Sequence, residues 1–162
     1  MALHEVYVDG ASRGQGSQNE DGTVERLGHG AAAAMIYRNK KLIGQYARGL
    51  GKVPNNVAEY EAIILGLLMC WAADLERPII YCDSSIVVKQ INGDWQCKSE
   101  RLIPLLKSVQ EIEQVYQFNV VHVPRSHVAE ADKLANKFLN SMLEKPKKRK
   151  EGKKRAQTPK KA

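Results

Sequence analysis

Near residue 54 the hydrophobic period of this 162-residue chain changes, and the change leaves few architectures open. Before it, apolar positions follow strand patterns. His4-Glu5-Val6-Tyr7-Val8-Asp9 alternates and runs into Asp-Gly. The apolar runs Ala31 to Tyr37 and Leu42 to Arg48 are divided by Arg38-Asn39-Lys40-Lys41, a hairpin signature. After it, stripes appear at helical spacing: Val57, Tyr60, Ile64, Leu67 and Trp71, then Leu102, Leu105, Leu106, Val109, Ile112 and Tyr116, and last Ala131, Leu134, Ala135, Phe138 and Met142. Pro78 to Asp83 and Phe118 to Val123 read as short strands, and Ser84 to Asn92 as a short helix stopped by Gly93. The order β-β-β-α-β-α-α-β-α predicts an α/β protein: a five-stranded mixed sheet, three antiparallel strands then β/α alternation, flanked by helices. Residues 10–30 hold six of the twelve glycines and read as one long polar loop, a length usually kept for function.

The net charge of +7 is unevenly distributed. Lys145 to Ala162 carries ten Lys/Arg and one Glu, a net of +9, while residues 1–144 carry 15 basic and 17 acidic residues, a net of −2. The expected organisation is a folded body over 1–143 and a disordered basic tail over 144–162, since the tail has no apolar periodicity. Such a tail is either a solubilising end or a non-specific clamp for polyphosphate. No apolar run approaches the ~20 residues that span a bilayer, and no secretory signal is visible. Three cysteines, Cys70, Cys82 and Cys97, with no pair at metal-ligand spacing, argue against a disulfide framework or a zinc site and for a reducing, cytoplasmic setting.

Four carboxylates fall at expected element boundaries: Asp9 at the end of the first strand, Glu59 in the first turn of the first helix, Asp83 at the end of the fourth strand, and Asp132 early in the last helix. Each has an ordinary use. Asp9 suits an Asp-Gly turn, Asn56 with Glu59 is close to a capping box, Asp83 can cap a helix, and Asp132 can sit on a solvated face. Together they weigh more. The carboxyl ends of neighbouring parallel strands open into one crevice, which would bring Asp9 and Asp83 together with the two helix starts beside them. Four acids that close cannot all stay ionised without a cation. Hard oxygen donors suit Mg2+, with Mn2+ as an alternative, and two such ions form a clamp for in-line displacement at phosphorus.

The segments Tyr-Val-Asp-Gly-Ala-Ser-Arg-Gly (7–14), Asn-Asn-Val-Ala-Glu-Tyr-Glu-Ala (55–62), Tyr-Cys-Asp-Ser (81–84) and Val-Pro-Arg-Ser-His-Val-Ala-Glu-Ala-Asp-Lys-Leu-Ala-Asn (123–136) resemble type I ribonuclease H, most closely the short archaeal- and plant-type branch that lacks the basic handle. The match is collinear over residues 4–140. The resemblance implies the ribonuclease H-like fold and endonucleolytic hydrolysis of the RNA strand of RNA–DNA hybrids, leaving 5′-phosphate and 3′-hydroxyl ends. It carries the four catalytic, metal-binding acids to Asp9, Glu59, Asp83 and Asp132, with Glu61 the nearest rival to Glu59. Three features depart from the family pattern. Val128 stands where an Asn or Glu is common, and the segment from Gly14 to Gly30 is longer than the usual tight turn. The catalytic-loop histidine is matched in distance by His122, which reads as strand, and in place by His127 near Arg125.

Selectivity for RNA requires a reader of the 2′-hydroxyl. Asn55, Ser12 and Arg13 have suitable groups, and Asn56 is available unless spent on the helix cap. The amides of Gly10 and Gly14 can approach a strand closely because glycine has no Cβ. Ser84 adjoins Asp83, and Trp95 with Lys98 and Lys89 suits the DNA strand through stacking and charge. The expected partner is an RNA–DNA hybrid duplex bound by a monomer, with no membrane. Two rivals remain at this level: a non-catalytic hybrid or RNA binder, and another nuclease on the same fold, such as a 3′–5′ exonuclease or a junction resolvase.

Overall fold

The computed structural model describes residues 2–13 and 27–143. Five strands, β1 (His4–Ser12), β2 (Gly28–Arg38), β3 (Lys41–Val53), β4 (Ile79–Cys82) and β5 (Asn119–His122), form one sheet in the order β3-β2-β1-β4-β5. The helices are α1 (Asn55–Ala72), α2 (Ser85–Ile91), α3 (Ile103–Glu113) and α4 (Ala129–Met142), the last preceded by a 3-10 turn at Arg125–Val128. The element order matches the one expected. β1 pairs antiparallel with β2 and parallel with β4, and β4 pairs parallel with β5.

Strand alternation divides the core between two faces. Val6, Val8, Ala32, Ala34, Ile36, Ile80 and Val120 face α1, α2 and α3 and form the main cluster. Ala31 and Ala33 face the other way, against Ala135 and Leu139 of α4. The four consecutive alanines of β2 are all fully buried, so helices sit close on both faces at this point. The β2–β3 hairpin turns through Asn39 and Lys40, both at positive φ, as the right-handed twist of a two-residue hairpin requires.

Four local expectations are corrected. The polar loop does not begin at residue 10 or extend to 30: β1 continues through Ser12 and β2 starts at Gly28, because Gly10, Ala11 and Ser12 pair with Ala32, Ala31 and Gly30. Asp9 therefore lies inside β1, opposite Ala33, although it does lie beyond the last parallel pair with β4, Tyr7 with Tyr81. The Asn56–Glu59 capping box is absent. Pro54 is the N-cap without a side-chain cap bond, the helix starts at Asn55, and Glu59 falls in the second turn. Trp71 leaves the core stripe at the helix end, is 45% exposed, and stacks on Tyr116. Among the described residues no helix is long and apolar enough to cross a membrane.

Candidate active site

One polar cleft of ≈ 370 Å³ is lined by Asp9, Glu59, Asp83 and Asp132 together with Gly10, Ala11, Ser12, Asn55, Arg125 and Asn136. Four packing relations bring the acids there. Asp9 sits in the stretch where β1 outlasts its parallel neighbour β4, which ends at Cys82. Asp83 follows that strand end directly, and Ser84 takes the cap of α2, accepting from the Val87 amide at 3.4 Å, which leaves Asp83 out of the helix. Glu59 is held against the strand by the Gly10 amide, which donates to its Oε1 at 2.9 Å. That contact depends on a residue with no side chain: a Cβ on Gly10 would lie 2.1 Å from the Ala58 carbonyl carbon and oxygen. Asp132 enters from α4 on the far face.

The electrostatics follow from this crowding. Asp9 is only 5% exposed. Burial first, then the Glu59 charge, a hydrogen bond with Asp132 and the Asp83 and Asp132 charges push its pKa up to about 9. Burial likewise raises Glu59, to about 8, against the Gly10 hydrogen bond, which lowers it. Asp83 Oδ1 is buried with no hydrogen-bond partner among the described residues. Clustered hard oxygens, two strained towards protonation and one acceptor unsatisfied, fit a divalent cation such as Mg2+ or Mn2+. The Cys82 thiol lies within 4.8 Å of the Glu59 and Asp83 ligand atoms. Burial raises its pKa far above the ordinary thiol value, so it stays protonated and is a poor ligand for a hard cation.

The expected contact residues separate into groups. Gly10, Ser12, Asn55 and Arg125 line the cleft. Asn55 Oδ1 accepts from the Ser12 amide at 3.1 Å, latching the end of β1 to the start of α1, and the Ser12 hydroxyl donates to the Val53 carbonyl at 2.6 Å. Arg13 reaches across to α4, where its Nη2 donates to Asn136. Ser84, capping α2, is outside the lining, as are Glu61 and the exposed Asn56. Trp95 and Lys98 are also outside it. Trp95 is half exposed, with Lys89 Nζ 4.5 Å above its ring. His127 lines a second cavity of ≈ 400 Å³ with Glu5, Tyr7, Tyr37 and Glu130, because the 3-10 turn points Arg125 to one side and His127 to the other. His122 lies in β5. Gly14 falls outside the described residues, as does the tail. Asn136 closes the last family-like segment and is not among the site residues expected from sequence; its spacing of four from Asp132 on a helix is the signal that points to it.

A mixed sheet in this order, with acids from within β1, from the end of β4 and from two helices converging on one cleft, defines the ribonuclease H-like class. The profile of the reverse transcriptase-like family matches residues 19–138. The chain belongs to this family, in its type I ribonuclease H branch. It is 29% identical over 136 residues to Ribonuclease HI of Halobacterium salinarum, covering 83% of this chain and 63% of that protein. It is 28% identical over 137 residues to a bifunctional protein of Mycobacterium tuberculosis, 84% of this chain but 35% of the relative. It thus spans about a third of the length of the mycobacterial relative. The crystal structure of the Halobacterium salinarum RNase H1 superposes with a TM-score of 0.75 at 26% identity, covering 86% of this chain and 98% of that one. LC11-RNase H1, solved in complex with an RNA/DNA hybrid, gives a TM-score of 0.70 at 26% identity, covering 83% and 94%.

Proposed function

We propose that this protein is an endoribonuclease that hydrolyses the RNA strand of RNA–DNA hybrids in a divalent-cation-dependent reaction, leaving 5′-phosphate and 3′-hydroxyl ends. The observation that carries the reading is the convergence of Asp9, Glu59, Asp83 and Asp132 on one cleft, in a fold whose relative LC11-RNase H1 was solved with a hybrid. A protein that only binds nucleic acid gains nothing from four acids beside its phosphates. In this reading the four carboxylates hold two ions, Mg2+ or Mn2+. When bound, such ions supply a water of lowered pKa and stabilise the leaving 3′ oxygen.

The chain's own residues perform the remaining tasks. The Gly10 amide fixes Glu59, and the end of β4 sets Asp83 beside Asp9. Asn55 and the Ser12 segment stand at the rim as readers of the 2′-hydroxyl. Arg125 is a cationic group lining the cleft and is suited to a phosphate on the RNA strand. Trp95 with Lys89 and Lys98 is assigned to the DNA strand. The body acts as a monomer in a reducing compartment, with Lys145 to Ala162 as a phosphate-binding tether.

The test is cleavage of labelled RNA–DNA, RNA–RNA and DNA–DNA duplexes with and without Mg2+. Cleavage of the RNA strand in the hybrid alone is expected, with sharp loss when nucleotides near the scissile bond are 2′-deoxy, since site groups are then left unpaired. Equal cleavage of DNA–DNA would favour the general-nuclease reading. Binding of the hybrid without cleavage would favour the non-catalytic one.

A further inference from the structure

Asp132 is the acid carried by the helix on the far face of the sheet, and its carboxylate is held by a neighbour on that helix. Asn136, one turn on, donates from Nδ2 to Asp132 Oδ1 at 3.1 Å and to the Asp132 carbonyl at 3.0 Å. An amide side chain can present either end, so something must choose. Arg13 chooses: its Nη2 lies 3.3 Å from both Asn136 Oδ1 and the Asn136 carbonyl. A guanidinium has donors only, so the amide oxygen faces Arg13 and the amide nitrogen faces Asp132. Turning the amide would lose the bond on each side. Arg13 directly follows β1, so this chain of bonds also ties the strand of Asp9 to the helix of Asp132.

Resting on the metal-dependent reading above, we infer that Asn136, oriented by Arg13, is a positioning residue that holds Asp132 by one carboxylate oxygen and so keeps the carboxylate turned towards Asp9, where the two acids meet a divalent cation. It acts through Asp132 and not on the substrate. Groups that orient metal ligands in this way typically change metal affinity or activity about 10–100-fold when removed.

The test is Mn2+ binding to the full chain by calorimetry, without nucleic acid, alongside Mg2+-dependence of hybrid cleavage. Asn136→Ala is expected to weaken Mn2+ binding by about tenfold and to raise the half-saturating Mg2+ concentration by a similar factor. KM for hybrid at saturating metal should stay unchanged. Asn136→Gln keeps a donor at a spacing that bonds Asp on a helix, and should recover most of the loss. Arg13 is exposed, so Arg13→Ala leaves the core intact and should give a smaller loss in the same direction; it carries the test if Asn136→Ala does not fold. Wild-type Mn2+ affinity in Asn136→Ala overturns the inference, as does a raised KM for hybrid with metal affinity intact, which would make Asn136 a substrate contact. Failure of the wild type to cleave hybrid overturns the activity reading, and the Mn2+ measurement still decides the positioning role. Absence of saturable Mn2+ binding in the wild type overturns both.

Discussion

Asp9 and Asp83 are the residues on which the proposed chemistry rests most directly. Asp9→Asn or Asp83→Asn should abolish detectable cleavage while hybrid binding and the circular dichroism spectrum persist, because the amide keeps the shape and removes a ligand charge. Near-wild-type turnover by either variant would remove the metal-site assignment. The same crowding sets a pH dependence. Asp9 and Glu59 hold their protons more tightly folded than unfolded. Protonation therefore favours the folded, metal-free protein fully below about pH 4, and that contribution is lost as pH rises through the folded values of about 9 and 8. Between pH 5 and 9 the Tm of metal-free wild type should fall by at least about 2–4 °C more than that of Asp9→Asn, which corresponds to about 1 kcal/mol for a domain of this size. Excess Mg2+ should raise the wild-type Tm more at pH 8 than at pH 5, since cations bind the ionised carboxylates. Parallel melting curves for the two proteins would disprove this account.

At the level of elements, the β1–α1 contact decides whether Glu59 can meet Asp9. The helix is buried along most of its length, with Tyr60, Ala62, Ile63 and Leu67 fully enclosed, so it cannot retreat from the strand. At Gly10 the two backbones are too close to admit a Cβ. Gly10→Ala puts a methyl group against the rigid Ala58 carbonyl, and the element pair must separate or shear. Overpacking of this kind costs about 1–3 kcal/mol, so urea denaturation should show a loss at the upper end of that range. Turnover should drop further than stability does, because the Gly10–Glu59 hydrogen bond breaks when the register shifts. A Gly10→Ala variant with unchanged urea midpoint and activity would show that the close approach is not needed.

For the whole molecule, the separation of charge matters: an acidic body of net −2 and a basic segment of net +9 from Lys145 onward. Acids that gather cations do not themselves attract a polyanion, so long-range attraction to the hybrid is assigned to the basic segment. Truncation after Leu143 should weaken hybrid binding at low salt and flatten its salt dependence, by about 0.9 in log–log slope for each phosphate of duplex DNA that is no longer neutralised. Turnover at saturating hybrid should hold, since the cleft lies within the described body. Equal affinity and equal slope in the truncated protein would leave the segment a solubilising role alone.

Local chemistry is enough to read the element order, the three antiparallel strands and the four acids, because period, turn residues and short motifs act within a few residues of one another. Val6 and Val8, or Tyr60 and Leu67, declare their buried faces by spacing alone. What lies beyond that reading depends on partners distant in the chain. How far β1 runs past Asp9 is set by its pairing with β2, not by the glycine that follows Asp9. Asn56 and Glu59 look like a cap until Pro54 takes the cap and the Gly10 amide takes Glu59. His127 and Arg125 are two residues apart yet line different cavities, since a 3-10 turn fixes their phase against the sheet. Arg13 finds Asn136 across 123 residues only because the order β3-β2-β1-β4-β5 seats α4 over the end of β1. Such pairings arise from how faces pack across the sheet, and packing between distant segments leaves no periodic trace in either of them.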